Sequence, residues 1–179
     1  MTEFFDILDD SGRPTGSTKA RELVHKDGDW HKAVHIWIVN DKDEILLQKR
    51  SPNKDSNPNM WDVSSAGHLS AGDDSLTGAM REIKEELGLD IPPAQFTFLG
   101  TLKDAQRYTP TFINNEFNDI YLLRISPKLD QIVIQKEEIA EVKYVTIDEF
   151  RQLIKNKDKT LLMHAEEFKI LFKALGHKL

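Results

Sequence analysis

The chain has 179 residues, a net charge of −6 and no cysteine. That length suits one domain, and the missing thiols exclude disulfides, cysteine–zinc sites and thiol nucleophiles. The acidic balance argues against binding a nucleic-acid polymer, but a metal can supply local positive charge for a small phosphorylated substrate. The N-terminus, MTEFFDILDD, lacks the basic start and apolar run of a signal peptide, and no apolar run approaches the roughly 20 residues that span a bilayer. A cytoplasmic protein without a membrane partner is the expectation.

In chain order, Phe4 to Leu8 reads as a short strand, and Asp9 to Gly16, rich in Asp, Gly, Ser and Pro, as a turn. Ala33 to Val39 (AVHIWIV) is β-branched and aromatic, a buried strand. Asn40 to Asp43 turns the chain so that Glu44 to Lys49 pairs back. Ser51 to Asn59 is a loop, and Trp61 to Ser64 a further short strand. Leu76, Ala79, Met80, Ile83 and Leu87 recur at helical spacing, giving a helix from near Asp74 to Leu87 with one apolar stripe. Asp73 or Asp74 can cap its first amides, Gly88 suits a left-handed C-terminal cap, and Pro92 and Pro93 support the stop.

Gln95 to Lys103 and Asp119 to Ile125 read as strands separated by a long polar loop, and Val142 to Val145 as another strand. Thr146 and Glu149 form a capping box for a helix ending near Asn156. A last helix runs from about Leu161 to Leu175, its stripe of Leu161, Leu162, Ala165, Phe168, Leu171, Phe172 and Leu175 packing into the core. A homodimer contact through that stripe is the lesser alternative. Strands interrupted by helices in mixed order predict an α/β or α+β sandwich.

The chemistry concentrates between Gly67 and Leu89. At about 100° per residue, Glu82, Glu85 and Glu86 fall in one sector beside the apolar stripe, and such crowded carboxylates are costly unless solvent or a cation relieves them. Hard oxygen ligands suit Mg²⁺ or Mn²⁺, which can polarise a phosphoryl oxygen and acidify water. Arg81 stands four residues before Glu85, within reach of an ion pair. A solvated acidic helix face is the bland alternative for the run REIKEEL taken alone.

The whole spacing, G-x5-D-x7-R-E-x-x-E-E-x-G-L, resembles the Nudix box, the signature of magnesium-dependent hydrolases that cut diphosphate linkages. The resemblance implies a mixed-sheet α/β/α sandwich, metal ligands at Glu82, Glu85 and Glu86 with one doubling as base, and a small-molecule diphosphate substrate. One position departs: Asp73 stands where that family usually has glutamate.

The segment before the box resembles type 1 isopentenyl-diphosphate isomerases, through GRPTG at Gly12 to Gly16, His25, His31, LLQKRSPNK and the tryptophan ahead of the box. Together the resemblances cover roughly residues 4 to 125. The isomerase likeness implies a second divalent-metal site at His25, His31, His68 and Glu116, with Asn114 where a further glutamate would lie. It also places Arg21, Arg50 and Lys54 near a diphosphate, where guanidinium forks and an ammonium match phosphate oxygens. The isomerase reaction uses a cysteine just before the box, and the stretch Trp61 to His68 has none. Hydrolysis of a nucleoside- or small-organic-diphosphate is therefore the leading reading. Isomerisation of isopentenyl diphosphate and non-catalytic sensing of a nucleotide or diphosphate are the alternatives. Trp30, Trp37 and Trp61 are candidates for stacking on substrate, though Trp37, within an apolar strand, reads more readily as core and Trp61 equally as either, and Arg107 and Tyr108 are candidates for contacting it from a loop.

Overall fold

In the computed structural model, which describes residues 2–179, nine strands form one mixed sheet flanked by four α-helices. Its spine is β3 (Trp30–Val39), the expected apolar strand extended by three residues. The strand β8 (Phe112–Arg124) runs parallel to β3 along its whole length, from Trp30↔Asn115 to Val39↔Arg124. The other edge of β3 is shared in succession by β1 (Phe4–Leu8), β6 (Ser65–His68) and β4 (Glu44–Arg50). Beyond β4 lie β5 (Trp61–Asp62) and β9 (Ile139–Thr146), and beyond β8 lies β7 (Thr97–Thr109).

Alternation along β3 sets the layers, because successive side chains point to opposite faces. Val34, Ile36 and Ile38 face α2 (Ser75–Leu87), packing with Ala79, Ile83 and Leu87. Trp37 and Val39 face the other way. They pack with Phe150 of α3 (Ile147–Lys155) and Phe168, Leu171 and Phe172 of α4 (Ala165–Ala174). The sheet is thus sandwiched between α2 on one side and α3 with α4 on the other, the three-layer arrangement expected.

The caps are those read from sequence. The Asp74 carboxylate accepts from the Thr77 amide, Gly88 closes α2 at φ 70°, and Thr146 and Glu149 cap α3 reciprocally.

Several expectations are corrected. The turn expected over Asp9 to Gly16 gives way at Pro14 to a strand, β2 (Pro14–Ala20), paired only with β1 at the sheet edge, where a leading proline costs no ladder bond. Arg21–Asp27 forms a short helix, α1, without a side-chain N-cap, and it carries His25. The stretch 104–118 is not a loop. There β7 and β8 continue as a hairpin that turns at residues 110–111, polar because its outer half is exposed. The last helix begins at Ala165, since Leu161 forms a β-bridge with Trp61 instead. Leu161, Phe168, Leu171, Phe172 and Leu175 are buried as expected.

Candidate active site

One cavity of about 720 Å³ opens where the end of α2, the edge of β6, the β7–β8 hairpin and the start of α4 meet. Arg21, Arg50, Lys54, Arg81, Glu82, Glu85, Glu86, His25, His68 and Glu116 all line it, so residues far apart in sequence share one space.

On its α2 wall, Glu82 and Glu86 are buried, whereas the Glu85 side chain stays 54% exposed at the rim. Helix α2 presses close to β6 there: a Cβ on Gly67 would lie 2.1 Å from the Glu82 carboxyl carbon, so only glycine admits that carboxylate. Arg81 is the organiser. It donates to Glu82 at 2.7 Å, to Glu85 at 3.3 Å and to the His68 carbonyl at 2.9 Å. The Asp73 carboxylate comes only to 3.6 Å from Arg81 Nε, which makes no hydrogen bond. Ser65 Oγ and the Ala66 amide donate to Glu86 at 2.6 and 3.1 Å. Burial pushes Glu82 up to about 7, partly offset by Arg81, and Glu86 up to about 8, partly offset by Ser65. The crowding anticipated from sequence is present, but desolvation outweighs mutual repulsion as its cause.

Beside this wall, the rings of His25, His31 and His68 bring ligand atoms within 4.8 Å of one another. His25 donates through Nδ1 to the Arg21 carbonyl at 2.9 Å, and His31 through Nδ1 to the Asp29 carbonyl at 3.0 Å. A carbonyl only accepts, so both rings spend an Nδ1–H there, and the Nε2 of His31 is left without a hydrogen-bond partner. Glu116 Oε1 lies 2.9 Å from His68 Nε2 and 3.8 Å from His31 Nε2, yet neither nitrogen makes a hydrogen bond. Burial lowers the His31 ring and pushes His68 down to about 3, so both are neutral at pH 7. Asn114 places its Oδ1 3.0 Å from His25 Nε2, an oxygen at the expected point but without charge. His31 and His68, neutral and each with an orphaned Nε2, together with the Glu116 carboxylate form a donor set that fits a divalent ion.

The cationic residues are less free than sequence suggested. Arg21 pairs with Glu3 at 2.9 Å and Lys54 with Glu138. Arg50 spends its guanidinium on Ser56 and on Asp62, at 3.2 Å. None of Trp30, Trp37 and Trp61 reaches the cavity: Trp37 is core, Trp30 lies under Lys103, and Trp61 has Lys49 and Lys143 over its ring. Tyr108 lines the cavity and Arg107 does not, and both sit on β7 rather than a loop.

Sequence reading missed a second polar cluster on the wall facing α2. His35 Nδ1 donates to Glu167 at 2.8 Å, Trp37 Nε1 donates to the same carboxylate at 2.7 Å, and His164 Nε2 donates to Asp62 at 2.9 Å. Burial opposes these charges, but the pairing outweighs it: Glu167 and Asp62 are held below the usual carboxylate range, His164 is raised and His35 is pushed up to about 9. The available signal was a histidine in the middle of an apolar strand, which requires a partner.

Comparison with known proteins agrees with this geometry. The NUDIX domain family model matches residues 29–165. Nudix hydrolase 3 of Arabidopsis thaliana is 48% identical over 160 residues, covering 87% of this chain but only 21% of that longer protein. An uncharacterized Nudix hydrolase of Clostridium acetobutylicum is 37% identical, covering 87% of this chain and 75% of its own length. More distantly, the isopentenyl-diphosphate Delta-isomerase of Pectobacterium atrosepticum is 26% identical over 93% of this chain and 85% of that one. A crystal structure of the Deinococcus radiodurans protein DR0079 superposes with a TM-score of 0.71 over 93% of this chain and 96% of that one, at 19% identity, which speaks to the fold. With the family model spanning most of the chain, and with the mixed sheet and box helix in place, the chain belongs to the Nudix family.

Proposed function

We propose that this chain hydrolyses a diphosphate linkage in a nucleoside- or small-organic-diphosphate with the help of Mg²⁺ or Mn²⁺. The observation that carries the reading is the α2 wall, where two buried carboxylates, Glu82 and Glu86, line one cavity beside Arg81, which pairs with Glu82 and with Glu85 at the rim. Glu82, Glu85 and Glu86 would hold the cation. When bound it supplies Lewis-acid polarisation of a phosphoryl oxygen and lowers the pKa of water. Arg81 positions Glu82 and Glu85. Lys54 and Arg21, at the cavity edge, would hold the diphosphate by exchanging their carboxylate partners for phosphate oxygens. Arg50, bound to Ser56, shapes the 51–59 loop and adds charge. His25, His31, His68 and Glu116 would hold a second divalent ion.

Phosphate release with Mg²⁺ across sugar nucleotides, nucleoside triphosphates, thiamine diphosphate and prenyl diphosphates tests the reading. Glu86→Gln should lower turnover on the active substrate by about 100-fold or more with the fold intact. Retained turnover in that variant would overturn it. Isomerisation of an isoprenoid diphosphate is the second reading, favoured by the assembled His25, His31, His68 and Glu116. Against it stands the absent cysteine: Ala66 directly precedes Gly67.

A further inference from the structure

The wall facing α2 carries two imidazole–carboxylate pairs whose rings stand 5.2 Å apart, edge to face. Their geometry fixes which nitrogen each ring has left. An ionised carboxylate only accepts, so His35 uses its Nδ1–H on Glu167 and His164 its Nε2–H on Asp62. His35 Nε2 and His164 Nδ1 remain, on side chains that keep 10% and 23% of their exposure and line the cavity.

A third polar group joins them. Asn118 is 4% exposed, lines the same cavity, and has an Oδ1 with no hydrogen-bond partner. It sits on β8 between Ala33 of β3 and Leu102 of β7, in the cross-strand row next to that of His35. Ala33 lies between His31 and His35 on the same face of β3, and its small side chain leaves open the path between the histidine–glutamate cluster and the paired imidazoles. Four residues of strand make that path roughly 13 Å long at about 3.3 Å per residue, enough for a diphosphate at one end and a ring at the other.

We propose that His35, His164 and Asn118 form a hydrogen-bonding subsite for the organic half of the substrate, which therefore carries oxygen or nitrogen atoms rather than bare hydrocarbon. A hydrocarbon group seated there would strip water from an amide and two imidazoles and return no hydrogen bond. A hydroxylated or heterocyclic group satisfies all three. Glu167 and Asp62 are positioning residues, since each fixes a ring and has both carboxylate oxygens bonded within the protein. The inference rests on the diphosphate reading above and narrows its substrate class.

Binding of uncleavable methylene-bridged analogues, measured calorimetrically with Mg²⁺, tests it. The probes are the analogues of ADP-ribose and uridine diphosphate glucose, those of isopentenyl and dimethylallyl diphosphate, and methylenebisphosphonate alone. At least one polar analogue should bind about tenfold or more tighter than methylenebisphosphonate, and the hydrocarbon analogues should gain no such increment. His164→Gln and Asn118→Leu should each remove most of the polar increment while methylenebisphosphonate binding holds. His35→Gln should do the same where it folds, and the other two variants carry the test where it does not. Equal or tighter binding of the hydrocarbon analogues would overturn the subsite, as would an equal loss for every probe, which marks a structural brace. Failure of methylenebisphosphonate itself to bind would instead bring down the diphosphate reading, and the subsite with it.

Discussion

The two walls of the cavity use the same residue types in opposite ways. On the α2 side, Glu82 and Glu86 are pushed up, His68 is pushed down, and His31 and His68 keep nitrogens with no partner. On the facing side, every carboxylate has a cationic partner within 3.2 Å, and the shifts run the other way. Burial is similar, but each carboxylate of the facing wall has an imidazole to itself, whereas Arg81 is divided between Glu82 and Glu85 and leaves Glu86 without a cation. One wall balances its charge within the protein, and the other is arranged to have it balanced by something bound.

The contrast breaks most sharply in stability. Glu167→Ala leaves the His35 Nδ1–H and the Trp37 Nε1–H buried without acceptors and should cost about 3–5 kcal/mol, read as a lower midpoint in urea. Glu86→Gln removes a carboxyl whose charging burial opposes, so in metal-free protein its midpoint should be unchanged near pH 7 and higher above pH 8. A loss in Glu86→Gln matching that in Glu167→Ala would erase the distinction between the walls.

A pH series sharpens it. Glu82 and Glu86 have folded values of about 7 and 8, above their ordinary 4.5, so their contribution is full below pH 4.5 and is lost as pH rises through 7 to 8. The His35 contribution, with a value raised from 6.5 to about 9, is likewise full below pH 6.5 and lost as pH rises through 9. Only the first loss is on the wall proposed to bind metal. The rise in melting temperature caused by Mg²⁺ should therefore grow between pH 6 and pH 8, by roughly 2–4 °C for each kcal/mol of added binding free energy. A Mg²⁺ increment independent of pH would count against Glu82 and Glu86 as ligands.

The smallest effect lies at the departure from the family pattern. Asp73 stops 3.6 Å short of Arg81 Nε. Asp73→Glu adds a methylene and should close that hydrogen bond, raising stability by about 0.5–1 kcal/mol and leaving turnover within about twofold. A large gain in turnover would mean that residue 73 acts on the metal site rather than through Arg81.

Much of this architecture was legible in the chain because it depends on short-range rules. The periodicity of α2, its Asp74 and Gly88 caps and the Thr146–Glu149 box are local, and they are found as read. The box and the histidines were legible through resemblance, and the fold brings them to one cavity. What escaped depends on partners distant in sequence. The start of β2 looks like turn because only β1 supports it, and the outer hairpin of β7 and β8 looks like loop because its β7 half is exposed while its β8 half rests on the short helix α1 rather than on a sequence-local partner. His35 and Glu167 are 132 residues apart, and neither position alone announces the other.

The alternation along β3 also bears on redesign. Residues 31, 33 and 35 face the chemistry, while 34, 36 and 38 hold α2. Substitution libraries confined to 33 and 35 could reshape the cavity without touching the core on the other face. Insertion or deletion of a single residue within the strand would do the reverse, turning the histidines into the hydrophobic layer and the isoleucines into the cavity. The strand is therefore open to changes of letter and closed to changes of frame.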